Sequence, residues 1–179
     1  MTFARVRSLV VLGTLALLAL VFLVVALVRD TQSGGAGSVA KCKEGYVLAN
    51  IALHEPKDVK IRVFNGTDTP GRAAALADEF TNRDFKVVQT GNAKSAVEEV
   101  ALLRYGPKAV GSAHLMRAYF LDEATPQYDA KRKDDVVDVV IGRNFKQLAT
   151  TTEMKQSLVE LGGRPELPAG TCAADEATS

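Results

Sequence analysis

The sequence predicts an α+β domain, a two-layer sandwich in the order β-α-β-β-α-β, preceded by a single transmembrane helix. Three observations carry that expectation: an uncharged apolar run near the start, later segments with the apolar alternation or density of strands, and two Ala-rich stretches with apolar residues at helical spacing. With the apolar run set aside, the 179 residues leave about one domain's worth of chain.

The apolar run, Leu9 to Val28, reads LVVLGTLALLALVFLVVALV. At a rise of about 1.5 Å per residue, about twenty such residues cross a hydrocarbon core of roughly 30 Å. Arg5 and Arg7 precede it, whereas Arg29 is followed at once by Asp30, so residues 1–8 are expected in the cytoplasm and everything after the helix outside. A cleaved signal peptide is the competing reading, but the run exceeds the roughly 7 to 15 apolar residues of such a peptide. The tidy small-x-small site, Ser38-Val39-Ala40, also lies well beyond it. Lys41 stands before Cys42 where lipid attachment would need a small residue. The expected localisation is the plasma membrane, single-pass, with the C-terminal domain extracytoplasmic.

Residues 29–44 contain TQSGGAGS and read as a flexible tether. Two cysteines, Cys42 and Cys172, lie on the expected oxidising side and are expected to pair. Such a bridge would restrict the unfolded chain by about 5 kcal/mol in the chain-entropy account. Two free thiols are the alternative.

Residues 45–162 are expected to form the domain. Tyr46 to Ile51 is a short strand candidate, and Pro56-Lys57-Asp58 marks a turn. In VKIRVF, Val59 to Phe64, the residues Val59, Ile61 and Val63 share one face of a strand. Asn65-Gly66-Thr67 ends it, Thr69 and Pro70 read as the cap and first residue of a helix, and Ala73, Leu76, Ala77 and Phe80 give that helix one apolar side. Phe85 to Thr90 is the next strand, broken at Gly91-Asn92-Ala93. Glu99 to Tyr105 is a third, and Gly106-Pro107 opens a helix with Ala109, Ala113, Met116 and Phe120 along one side. This second half repeats the first.

Asp122 to Asp135 reads as a polar connection, and VVDVVI, Val136 to Ile141, as the central strand, ended by Gly142-Arg143-Asn144-Phe145. The order fits a split-βαβ, ferredoxin-like arrangement with two helices over one face of a four-stranded antiparallel sheet. Thr151 or Thr152 is read as the cap of a final helix with Met154, Leu158 and Leu161 inward, before a tail over residues 163–179.

A net charge of +1, with both signs interleaved, excludes the basic field that a nucleic-acid binder needs. No Trp and 6% aromatic residues argue against a stacking platform or a broad aromatic sugar cleft. A ligand groove must therefore be built from polar side chains and backbone.

Asn65, Gly66 and Thr67 stand where a strand hands over to a helix N-terminus, suited to an anion or a carbonyl-rich sugar or peptide, with Arg72 beside them. The competing reading is turn geometry and capping alone. Arg104, Tyr105 and Asn144 lie at equivalent strand ends of the second half and read as a shared polar patch or an ordinary solvated edge. His54 and His114 have no companions at ligand spacing, so neither metal nor cofactor is expected. Ser112 lacks the context of a nucleophile elbow. Asp134, Asp135 and Asp138, mixed with Lys131, Arg132 and Lys133, read as a solvated charged loop. No acid, base and nucleophile match, so no enzyme is expected.

VKIRVFNGTDTPGRAAALADEFTNRDFKVVQTGNA, EVALLRYGPKAVGSAHLMRAYF and DVVDVVIGRNFKQL together resemble the C-terminal domain of the LytR-CpsA-Psr envelope proteins, from about Val59 to Leu148. The most specific pieces are Asn65-Gly66-Thr67 with Gly71, Gly91-Asn92-Ala93, Tyr105-Gly106-Pro107, and the closing strand with Gly142 and Phe145. The resemblance implies an extracytoplasmic domain of a cell-wall-related protein, and with the anchor and tether it leads to the expectation of a non-catalytic module that binds peptidoglycan, wall glycopolymer or an envelope protein. It also admits a regulatory partner docking on a separate phosphotransferase of that family. Many members carry a glycopolymer-transferring domain as well. This chain is expected to have no room for it, so that domain's lipid-binding residues have no counterpart here.

Overall fold

The computed structural model describes residues 42–173 together with Leu17, Leu18, Ala19 and Val21. Those four are helical and exposed. The remainder of the expected transmembrane helix over 9–28, residues 1–8, most of the tether and residues 174–179 lie outside the described residues. Among the described residues no helix is long and apolar enough to cross a membrane. The chain divides into two units, Met1–Val39 and Ala40–Ser179, and the second carries the features below.

Seven strands and three α-helices occur among its described residues: β1 (Val47–Leu48), β2 (Lys60–Asn65), α1 (Arg72–Thr81), β3 (Lys86–Asn92), β4 (Ala101–Tyr105), α2 (Val110–Tyr119), β5 (Ala124–Tyr128), β6 (Val136–Ile141), α3 (Thr151–Glu160) and β7 (Thr171–Cys172). Five strands form one mixed sheet in the order β3-β2-β6-β4-β5. β2 is parallel to β3 and to β6, and β4 is parallel to β5 but antiparallel to β6.

The two-layer α+β class therefore holds, while the four-stranded antiparallel, split arrangement does not. The difference is β5, which lies inside the segment read as a connection. Its Thr125, Pro126 and Gln127 are exposed, and a proline is tolerated there because the outermost strand leaves one side of its backbone unpaired. Such a strand shows no apolar alternation. With β5 in place each helix joins two adjacent parallel strands, β2-α1-β3 and β4-α2-β5. The two units run in opposite directions on either side of β6, and this is the physical form of the internal repeat.

β6 is central, as its sequence requires: Val137, Val139 and Ile141 are fully buried against the helices. Ala73, Leu76, Ala77 and Phe80 of α1 and Ala113 and Met116 of α2 meet Ile61, Val63 and Leu103 of the sheet in the same cluster. Each large apolar side chain so buried contributes about 1.5–3 kcal/mol. Phe80, Phe85 and Tyr119 close the cluster edge to face, with ring centroids 5.1–6.4 Å apart.

α1 starts at Arg72 rather than after Thr69, with Gly71 at φ 80°, a left-handed conformation that glycine adopts without a Cβ penalty. The Asn65 side chain forces the delay by holding residues 67–69 in a turn. α3 is capped by Thr150, one residue before the expected caps, in a reciprocal box with Glu153. β1 and β7 form a separate two-stranded parallel ribbon. The Cys42–Cys172 disulfide lies beside it, with a Cα–Cα distance of 5.8 Å.

Candidate functional site

At one end of the sheet, the Asn65 Oδ1 accepts from the Thr67 amide at 3.0 Å and the Thr67 hydroxyl at 2.8 Å, while Asn65 Nδ2 donates to the Thr69 carbonyl at 2.8 Å. The side chain is only 7% exposed. Gly66 is required by its surroundings, since a Cβ would stand 2.8 Å from the Ile141 carbonyl oxygen. Arg72 Nη2 donates to the Phe145 carbonyl at 2.6 Å, and its guanidinium lies 5.7 Å from the centre of the Phe145 ring. Asn65, Gly66, Thr67 and Arg72 are thus brought together, and their polar groups fasten the β2–α1 connection to the exit of β6. Asn144 lies at the same end, on a depression of about 680 Å³ floored by Val100, Phe120 and Leu121 and rimmed by Arg143, Asn144 and Lys146. Arg143 pairs with Asp68 and Glu98.

Arg104 and Tyr105 lie elsewhere. β4 runs antiparallel to β6, so Ala101 stands opposite Ile141 and Arg104 opposite Asp138. The patch expected to unite Arg104, Tyr105 and Asn144 is split between the two ends of the sheet. Tyr105 faces the core with its ring 5.8 Å from that of Tyr128, and burial pushes both phenols above their ordinary pKa. The Tyr128 hydroxyl is buried and finds no hydrogen-bond partner among the described residues.

The helix-free face of the sheet carries the largest polar arrangement. Register places Gln89, Arg62, Asp138, Arg104 and Gln127 side by side on five successive strands. Arg62 Nε donates to Asp138 at 2.6 Å and Arg62 Nη2 to Asp134 at 3.0 Å. Arg104 Nε donates to Gln127 Oε1 at 2.9 Å. Arg132 reaches in from the β5–β6 connection and donates to Asp134, to Asp138 and to the carbonyls of Arg104 and Val136. Burial opposes the Arg62 charge, but the hydrogen bonds and charges of Asp138 and Asp134 outweigh it and raise its pKa. Gly106 makes room for this crossing, because a Cβ there would lie 2.6 Å from Arg132 Cβ.

Arg132, Asp134 and Asp138, read from sequence as a solvated loop, are therefore a joined network. Its side chains border a depression of about 570 Å³ that Arg104 and Gln127 also line. The signal for it was a charged residue set among apolar neighbours within each of three strands: Arg62, Arg104 and Asp138. The neighbouring row, Gly91-Phe64-Val140-Leu102-Thr125, is apolar at its centre and lies under Val97.

Neither histidine meets a metal-site partner. His114 Nε2 lies 2.9 Å from the Gly162 carbonyl and His54 Nε2 lies 3.2 Å from Asn50 Nδ2. Among the described residues no group of three or more His, Cys, Asp or Glu is placed to hold a metal.

The fold and its part-exposed polar row define a small two-layer α+β domain with one face of its sheet free of helices. Residues 58–145 match the family described as LytR cell envelope-related transcriptional attenuator, and this part of the chain belongs to that family. The structure is also similar to the crystal structure of the soluble domain of a conserved hypothetical secreted protein from Mycobacterium marinum. The TM-score is 0.50 and the identity 23%, over 65% of this chain and 83% of that one, a likeness of fold. No curated protein matches the chain.

Proposed function

We propose that the chain is a non-catalytic module of the cell envelope that binds peptidoglycan, wall glycopolymer or an envelope protein. In this reading it works outside the cytoplasm, held to the membrane by residues 9–28. The observation that carries the reading is the polar row on the helix-free sheet face, where donors and acceptors stand at the surface of a cell-envelope family domain. The disulfide supports an oxidising compartment. Catalysis is disfavoured because the charged groups of the row engage one another: Asp138 accepts from Arg62 and Arg132 and is not poised as a base. The test is retention of the full-length, detergent-solubilised chain on purified wall material. Retention above a bare-matrix control is expected, and none would overturn the glycan-binding form.

A second reading, docking on a separate LytR-CpsA-Psr phosphotransferase, is favoured by one observation. β3 is an outer strand with Val88 54% exposed, an edge open to strand addition. Crosslinks placed on β3 in cells should capture an envelope enzyme. Recovery of none removes this reading.

A further inference from the structure

We infer that the trough on the helix-free sheet face, centred on Arg104 and Gln127, binds an uncharged stretch of polysaccharide lying along the row Gln89-Arg62-Asp138-Arg104-Gln127. The inference rests on the envelope-binding reading and names its ligand class and place. Adjacent strands lie about 4.8 Å apart, so five strands present a polar strip about 19 Å long, the scale of a short oligomer rather than a single small molecule. The strip is bounded on one side by the Arg132 crossing and on the other by the apolar row under Val97, with Phe64 half-buried at the border.

Charge selects the occupant. Arg62, Arg104 and Arg132 are matched around the depression by Asp129, Asp134 and Asp138, so an anion approaching Arg104 also meets three carboxylates. A hydroxyl, which donates one hydrogen bond and accepts others, fits a surface that alternates donors and acceptors. Arg104 uses Nε on Gln127. Among the described residues no hydrogen bond takes up its Nη groups or the Gln127 amide nitrogen, and both side chains are exposed. Asp129 accepts the Lys131 amide through Oδ1, and among the described residues no hydrogen bond takes up its Oδ2. The network of Arg62, Arg132, Asp134 and Asp138 holds the floor in place, which lowers the ordering cost of binding. The composition agrees, because without Trp a sugar site must work through polar planar groups.

The test titrates the full-length chain in detergent with tetra-N-acetylchitotetraose as the neutral probe and tetragalacturonate as an anionic probe of similar length. The neutral probe should bind at least tenfold more tightly. Arg104→Ala and Gln127→Ala should each weaken it about tenfold and lower retention on wall material, with circular dichroism unchanged because both side chains are exposed. Tighter binding of the anionic probe, or affinities of both variants equal to wild type, would overturn the inference. If wild type and both variants are retained equally on wall material, the site is wrong and the envelope-binding reading stands. If wild type binds neither probe and is not retained on wall material, the inference and the glycan-binding form of the reading fall together.

Discussion

Arg62 Nε and Arg132 Nη1 grip opposite oxygens of the Asp138 carboxylate, at 2.6 and 3.0 Å. Arg62 comes from the neighbouring strand and Arg132 from the connection over the sheet. Asp138 is 17% exposed, so the carboxylate is a partly buried counter-charge to two guanidinium groups. Removing it leaves Asp134 as the remaining carboxylate partner of both.

Asp138→Ala is expected to lower stability by about 2 kcal/mol, from charged hydrogen bonds lost and two part-buried arginines left to share Asp134. Asp134→Ala, at a carboxylate 39% exposed, should cost under about 1 kcal/mol because solvent screens it. Denaturant midpoints of the two variants measure the difference. Equal losses would mean that the grip on Asp138 carries no special weight.

The chain over Asn50–Ala52 lies directly on the start of α2: the Asn50 amide donates to the Pro107 carbonyl at 2.8 Å and the Gly111 amide to the Asn50 carbonyl at 2.9 Å. A Cβ on Gly111 would overlap the Ala52 carbonyl oxygen. Gly111→Ala should therefore cost about 3 kcal/mol by overpacking. Gly163→Ala, with nothing within 4 Å of the added carbon, should stay within about 0.5 kcal/mol of wild type. Thermal melts of the pair decide it.

Replacing Cys42 and Cys172 together by serine should cost about 2–5 kcal/mol, since the bridge closes a separation of 130 residues. Thermal unfolding with and without reductant measures it. Wild type should lose stability on reduction, whereas the double variant should not respond.

Burial raises the pKa of Tyr105, Tyr119 and Tyr128 above the ordinary 10.0. A phenol that stays protonated in the fold contributes stability that is fully present below pH 10 and is lost as pH rises through its folded pKa. Denaturant stability should thus fall above about pH 10, in step with phenolate absorbance. Tyr128→Phe removes a buried hydroxyl that has no partner among the described residues and should raise stability by about 1 kcal/mol. A destabilised Tyr128→Phe would mean that the hydroxyl has a partner.

The strands β2, β4 and β6 and helices α1 and α2 were legible because each carries apolar residues at the spacing or density of its kind, and β3 because Val87 and Val88 stand between turn residues. β5 was not, because Thr125, Pro126 and Gln127 face solvent on an outer strand and nothing apolar marks their alternation. That one strand decides the topology. Without it the two adjacent parallel pairs look like a split antiparallel sheet. The site was half legible for the same reason. Arg104 stands out in ALLRY, and Asp138 in VVDVV, but their meeting depends on strand order and register, which no local pattern encodes. Asn65 was legible as a residue type and not as a role: turn chemistry and ligand binding call for the same side chain.

The cystine that joins the two margins of the described unit has a mechanical consequence. Cys42 and Cys172 lie side by side, so tension entering near one margin and leaving near the other passes through a covalent link and by-passes the sheet. The hydrogen-bonded strands carry little of that load.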